Sequence, residues 1–254
     1  MYSTTNITKA MILAAGEGSR LRPLTSEIPK SLLPVGDKQI IVHQLKWLRY
    51  HGVSEVAINL CHFGEKIENE LGDGSQFGVS IYYSYEEELL GTAGGVKKME
   101  HLFNDTFIII YGDIFTLLNL SEMAEVHRQK NAFITIALFN TLKPWEVGIV
   151  EIDNDSKLLS FTEKPSKGTE KSNLSNGGIY VVEPGIFNFI PEAIHYDFGY
   201  NVFPQLMAEE IPVYGYILRP DDYLIDIGTI ENYRQVNEDI IMGKCKTNFE
   251  KSSH

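Results

Sequence analysis

Short apolar runs alternate along the chain with stretches in which apolar residues recur every three or four positions. From the N-terminus the order is AMILA, IIVHQLKWLRYHG, EVAINL, FGEKIENELG, VSIYY, GGVKKMEHLF, FIIIYGD, SEMAEVHRQK and FITIALF. The short runs read as strands and the periodic stretches as helices, so their alternation predicts a parallel sheet covered by helices. Over residues 40–50, Ile41, Val42, Leu45 and Leu48 share one helical face and Gly52 supplies a stop, which predicts a crossover helix. Ser121 before Glu122 predicts another helix start, with an acid in its first turn.

Beyond about residue 140 the pattern changes to GIVEID, KLLSFTEK, GGIYVV and VYGYIL, with helical stretches over 203–209 and 230–241. This part reads as mixed or antiparallel β-structure. No repeat, low-complexity tract or long Gly/Ser linker divides the chain. The expectation is one α/β domain over 1–242, in two parts with a cleft between them, followed by a flexible tail over 243–254.

Composition narrows the functions open to such a fold. The 254 residues are 43% hydrophobic, enough for a substantial core. Neither a charged-then-apolar leader nor a membrane-length apolar run occurs, so a cytoplasmic protein with no membrane partner is expected. Two cysteines, Cys61 and Cys245, build neither a disulfide framework nor a zinc site. The seven histidines show no ligand spacing and read as structural or exposed. A formal net charge of −12 argues against a nucleic-acid partner, because backbone phosphates are held by clustered Lys and Arg. Against that background Arg20, Arg22 and Lys30 stand close together in sequence, which points to a small anionic ligand or else to a solvated basic face.

The stretch Leu13 to Thr25, LAAGEGSRLRPLT, follows the first predicted strand. A glycine loop at a parallel strand's carboxyl end lets backbone N–H groups approach phosphate oxygens. The dinucleotide fingerprint would need a third glycine where Leu21 stands, and a Walker A loop would need GK[ST]. What the loop offers instead is Arg20, with Lys30 returning between the stiffening prolines Pro29 and Pro34.

LAAGEGSRLRPLT followed by IPKSLLPVGDK resembles the signature of the sugar-1-phosphate nucleotidylyltransferases. GTAGG at 91–95, YGD at 111–113, EKP at 163–165, NGGIY at 176–180 and DIGT at 226–229 follow in that family's order. The resemblance covers roughly residues 8–240, and the segments over 174–180 and DDYLIDIGTIENY look similar to guanylyltransferases acting on mannose 1-phosphate or heptose 1-phosphate. It implies a Rossmann-like, GT-A-like fold with a mainly parallel central sheet flanked by helices. The nucleotide-binding part would run over about 8–140 and a smaller mixed-β sugar-binding part over about 141–242. A homodimer or a homotetramer would be the family's habit, and the sequence chooses neither.

The reaction so implied joins an NTP to a sugar 1-phosphate and releases pyrophosphate. Two anions must meet, and a Mg2+ ion held by one or two carboxylates plus phosphate oxygens suits that task. Asp113 and Asp226 each follow an apolar run and fit the role of its ligands; Asp113 after Gly112 could equally form a turn. By resemblance, Arg20 would grip the β- and γ-phosphates and Lys30 would reach the α-phosphate. Leu13, Ala14, Ala15, Gly16, Gly18, Ser19, Gly91 and Thr92 would line the nucleotide. Gly112, Glu163, Lys164, Asn176 and Gly177 would line the sugar phosphate, with Lys164 on the phosphate and Glu163 and Asn176 on hydroxyls. Glu163 and Lys164 could instead be a surface pair, and Asn176-Gly177 also reads as a hairpin signal.

Five positions before Gly91, where uridylyl and thymidylyl relatives usually carry glutamine to read the base, stands Glu86. A carboxylate only accepts hydrogen bonds, whereas uracil and thymine need a donor as well. Guanine presents two adjacent donors, so GTP is favoured; Glu86 to Glu88 could also be a solvated acidic run. Transfer of another nucleotide to another sugar 1-phosphate and a non-catalytic regulatory subunit of the same fold are the alternatives.

Overall fold

The computed structural model describes residues 6–245. In chain order the strands are β1 (Lys9–Leu13), β2 (Pro34–Val35), β3 (Lys38–Gln39), β4 (Glu55–Leu60), β5 (Ser80–Tyr85), β6 (Phe107–Tyr111), β7 (Ile114–Thr116), β8 (Ile134–Asn140), β9 (Gly148–Ile152), β10 (Leu158–Glu163), β11 (Leu174–Val182), β12 (Val213–Ile217) and β13 (Leu224–Asp226). The helices are α1 (Ile40–Tyr50), α2 (Gly64–Leu71), α3 (Gly91–Lys97), α4 (Leu120–Gln129), α5 (Phe203–Ala208) and α6 (Ile230–Ile241). The fold is of the Rossmann-like α/β class, with mainly parallel central strands flanked by helices.

The chain divides into two compact units and passes between them four times. Among the described residues the first holds 6–89, 110–121 and 220–245, and the second holds 90–109 and 122–219. In the first unit β1, β4 and β5 run parallel, with Leu13 beside Asn59 and Leu60 beside Tyr85. β4 is almost wholly buried, as a strand covered on both faces must be, while β5 alternates more and less accessible positions. The residues following β1, β4 and β5 therefore emerge at one common edge. β7 and β13 form a separate antiparallel pair in which Asp226 lies opposite Ile114. Leu21, Leu33, Val35, Phe115, Ile227 and Val236 pack as one core cluster beneath these loops.

Helix α1 occupies the predicted span and ends where Gly52 adopts a φ of 104°. Its Trp47 donates Nε1–H to the Leu118 carbonyl at 2.9 Å. Helix α4 begins at Leu120, one residue before the expected start, and Ser121 hydrogen-bonds His51 Nδ1 through its hydroxyl at 2.9 Å. The helix expected across GGVKKMEHLF is two pieces, α3 and a 3-10 turn over Glu100–Leu102. Val96, Met99 and Phe103 keep one apolar face inward through both pieces, so the period was legible and the break was not.

The second unit carries the mixed β-structure. β9 pairs antiparallel with β10 and β11, β8 pairs antiparallel with β11, and β12 runs parallel to β8. Its core includes Phe103 stacked on Phe107, with centroids 4.2 Å apart, and Tyr180 edge-on to Phe203 at 5.4 Å. Of the tail expected over 243–254, residues 246–254 lie outside the described residues. Lys244 pairs with Asp239 at 2.8 Å and Cys245 is buried in the first unit's core cluster. No helix among the described residues is long and apolar enough to cross a membrane.

Candidate active site

In the first unit the chain leaves β1 at Leu13, and the loop Ala14–Gly18 leads into a 3-10 turn over Ser19–Leu21. Gly18 has a φ of 69°, and a Cβ there would come within 3.1 Å of Lys30 Cβ and 3.3 Å of Thr25 Cγ2. Thr25 donates its hydroxyl to the Gly18 carbonyl at 2.8 Å, which fixes the turn. Buried Leu21 anchors the turn in the core while Gly16, Ser19 and Arg20 stay exposed. Arg22 pairs with Glu17 at 2.6 Å on the surface.

The two predicted aspartates come together. Asp113 sits in the tight connection between β6 and β7, and Asp226 ends β13; antiparallel pairing of β7 with β13 sets Asp226 opposite Ile114, the residue after Asp113. The Asp113 carbonyl accepts from Ile227 N–H at 2.9 Å, and the two carboxyls lie close enough for the charge of Asp113 to bear on Asp226. Lys30 Nζ donates to Asp113 Oδ2 at 2.5 Å, and Gly228 N–H donates to Asp226 Oδ1 at 2.5 Å. A Cβ on Gly228 would lie 3.0 Å from an Arg20 guanidinium nitrogen and 2.7 Å from Asp226 Oδ1, so the arginine head reaches the same spot. Gly112 serves the approach of two loops: its N–H donates to the Leu13 carbonyl at 2.9 Å, and a Cβ there would stand 2.8 Å from that oxygen.

Electrostatics separates the two acids. Burial pushes the Asp113 carboxyl up, but the charge and hydrogen bond of Lys30 outweigh it and hold the group below the usual range. Asp226 is pushed up, first by burial and then by the Asp113 charge. Two acids this close, with one ammonium hydrogen-bonded to Asp113, form a donor set that favours a divalent cation. Among the described residues no group of three or more His, Cys, Asp or Glu side chains forms a metal cage. Two carboxylates completed by ligand phosphate oxygens is the arrangement magnesium accepts, so these residues fit such an ion.

Glu86 follows β5 directly and is buried, not part of a solvated acidic run, whereas Glu87 and Glu88 are exposed. Its Oε1 accepts from Asn59 Nδ2 at 2.8 Å, and Asn59 Oδ1 accepts from Ala14 N–H at 2.9 Å.

In the second unit Gly91 opens α3 with a φ of 75°, and a Cβ there would strike the Tyr196 carbonyl at 2.6 Å. Ala93 and Gly94 donate their N–H groups to that carbonyl. Thr92 donates both its N–H and its hydroxyl to Asp197 Oδ1 at 3.0 Å, and the hydroxyl accepts from Phe198 N–H at 2.9 Å. Thr92 thus acts here as a strut between two segments.

Glu163 ends β10 with its carboxylate against the bare backbones of Gly148 and Gly199, where an added Cβ would come within 2.7 Å and 2.6 Å of Oε2. Burial pushes its carboxyl up, Lys164 pulls it down and Asp197 pushes it up further. Lys164 has a φ of 44° and extends into solvent 4.0 Å from Glu163. Asn176-Gly177 lies inside β11 and makes no hairpin turn. Pairing with β8 moves from Asn176 opposite Leu138 to Tyr180 opposite Ile136, so the extra residues form a bulge. Asn176 braces the bulge by donating to the Tyr180 hydroxyl at 2.8 Å and accepting from Gly178 N–H at 3.0 Å.

Gln44, Asn59 and Asp197 were not singled out from sequence. Gln44 donates to the carbonyls of Tyr111 and Ile114, which flank Asp113, at 2.8 Å each. A signal existed for Asn59, a lone polar residue within the apolar run VAINL, but not for Gln44, which lies between His43 and Lys46 in a mixed stretch. Asp197 had none.

A Rossmann-like unit with paired carboxylates, a close lysine and a glycine-arginine loop at its strand ends defines an anion-handling α/β protein. The nucleotidyl transferase family model matches residues 9–242, and the chain belongs to that family. It is 37% identical over 254 residues to the UTP–glucose-1-phosphate uridylyltransferase of Synechocystis sp., covering 94% of this chain and 64% of that protein. It is 32% identical over 233 residues to the D-glycero-alpha-D-manno-heptose 1-phosphate guanylyltransferase of Aneurinibacillus thermoaerophilus, covering 91% of this chain and 98% of that one. The chain thus spans less than two thirds of the first relative and nearly all of the second. The solved structure of a UDP-glucose pyrophosphorylase complexed with UDP-glucose shares the fold, with a TM-score of 0.80 at 20% identity over 93% of this chain and 99% of that one.

Proposed function

We propose that the chain is a sugar-1-phosphate nucleotidylyltransferase that uses GTP and a 1-phosphate of the mannose or heptose class. The observation that carries this reading is the meeting of Asp113, Asp226, Lys30 and Arg20 at one point of the first unit. Transfer would proceed by attack of a sugar-phosphate oxygen on the α-phosphorus of the nucleotide. The new P–O bond forms as the bond to the β-phosphate oxygen breaks, and pyrophosphate leaves on the opposite side. The attacking oxygen is already anionic near neutral pH, so no general base is required.

Asp113 and Asp226 would hold a Mg2+ ion, which when bound supplies positive charge to the reacting phosphates. Arg20 would grip the terminal phosphates by its fork, and Lys30, already aimed at Asp113, would sit beside the α-phosphate where charge develops. The first unit would also supply the Ala14–Ser19 loop to the nucleotide and Glu86 to the base. The second would supply Gly91 to the nucleotide, Lys164 to the sugar phosphate, and Glu163 and Asn176 to hydroxyls, with Gly177 leaving room.

A second reading, uridylyl transfer to glucose 1-phosphate, is favoured by the Synechocystis relative. Pyrophosphate release over a matrix of the common NTPs against glucose, mannose and heptose 1-phosphates decides between them. GTP with mannose or heptose 1-phosphate is the expected pair; UTP with glucose 1-phosphate would establish the second reading, and no release from any pair would remove both.

A further inference from the structure

Three parallel strands of the first unit end side by side, and one side chain ties all three exits together. Asn59 lies on β4 beside Leu13 of β1 and beside Ser84 of β5. Its Oδ1 accepts from the N–H of Ala14, the first residue of the glycine loop, at 2.9 Å; its Nδ2 donates to Oε1 of Glu86, the first residue after β5, at 2.8 Å. Asn59, Ala14 and Glu86 are 3%, 8% and 5% exposed, so water competes little for these bonds.

The amide has no freedom to turn over. A backbone N–H can only donate and so demands Oδ1, while a carboxylate can only accept and so demands Nδ2. Whatever occupies position 86 must therefore present an acceptor to Asn59, so that only the other polar atom of its head group can differ between a carboxylate and an amide. A carboxylate is symmetric, so Glu86 carries an acceptor on that side too, which suits the adjacent N1–H and N2–H2 donors of guanine. A glutamine at 86 would be forced to spend its oxygen on Asn59 and offer its NH2 instead.

We propose that Asn59 is a specificity-determining positioning residue whose amide fixes which end of the side chain at position 86 faces the nucleobase. The inference rests on the reading that Glu86 meets the base. It makes position 59 a polarity switch. With Asn59→Asp, the Ala14 N–H still finds an acceptor, but position 86 now meets an acceptor where it met a donor. Glu86 is then opposed by a second carboxylate, whereas the side chain introduced by E86Q can turn its NH2 towards residue 59 and present its oxygen to the base again.

The test compares GTP and UTP affinities by calorimetry, with Mg2+ present, for the wild type, E86Q, N59D and N59D/E86Q, alongside thermal melts and pyrophosphate release. E86Q is expected to lower the GTP-to-UTP affinity ratio by about tenfold, and N59D to weaken GTP binding by about tenfold, the scale of one mismatched buried hydrogen-bonding group. In N59D/E86Q the ratio is expected to return towards the wild type, a reversal that loss of packing at Asn59 would not produce. Equal ratios in E86Q and N59D/E86Q, or no binding of either nucleotide to the wild type, would overturn the inference. If N59D alone does not fold, the comparison of E86Q with N59D/E86Q still decides. A wild type that binds nucleotide with this pattern of ratios but releases no pyrophosphate would end the catalytic reading and leave the role of Asn59 standing.

Discussion

Two carboxyls brought into contact in a buried setting are unfavourable unless positive charge is close, and the Lys30 ammonium, hydrogen-bonded to Asp113, supplies it. Their placement depends on a glycine at 112, where the nearest obstacle to a side chain is backbone and cannot step aside. Gly112→Ala is expected to push the Asp113 connection away from Leu13, lowering stability by about 1–3 kcal/mol and turnover with it; chemical denaturation and pyrophosphate release measure the two. A second residue-scale prediction concerns His51, which burial pushes down to about 4 from an ordinary 6.5. Above 6.5 the ring is neutral whether folded or unfolded. As pH falls below 6.5 the unfolded chain takes up the proton first, so stability declines until the folded ring titrates near 4, by about 3 kcal/mol in all. Burial also pushes His43 and His127 down, in the same direction. Urea unfolding at about pH 7.5 and about pH 5 is expected to show a smaller loss in His51→Gln than in the wild type; equal losses would show that His51 does not drive the acid limb.

At the scale of elements, α6 begins immediately after the Asp226 turn, and Thr229 caps it by accepting from Asn232 N–H at 3.2 Å. Thr229→Ala is expected to cost about 0.5–2 kcal/mol, lowering the melting temperature by a few degrees, with the wild-type melt as the control. Both α1 and α6 were legible because their apolar residues keep a helical period between clear stops, and β4 because a short apolar run broken only by Asn59 reads as a buried strand. The glycine loop and the two aspartates were legible as chemistry, since each follows an apolar run. What brings Asp113 to Asp226 was not: the β7–β13 pairing joins segments more than a hundred residues apart, and short strands carry no period from which a register can be read. The same limit hid the β11 bulge, where Asn-Gly has the local chemistry of a turn but cross-strand pairing with β8 overrides it. Asn59 escaped for a related reason, because a lone polar residue in an apolar element declares a partner without naming it.

For the whole molecule, 34 acidic residues against 22 basic ones leave a strongly negative chain, yet Arg20 and Lys30 converge on one point of the first unit. Local positive charge within a negative protein selects small anions that can enter the site over extended polyanions that must lie along the surface. The central claim is that Asp113 and Asp226 work as one centre for nucleotidyl transfer. Pyrophosphate release by Asp113→Asn and Asp226→Asn, each compared with the wild type on its preferred pair of substrates, tests it most directly. The account predicts that each variant melts close to the wild type and loses turnover by about 10²–10³-fold or more, the scale of removing one charge-stabilising group. A folded variant of either kind that releases pyrophosphate at the wild-type rate would contradict it.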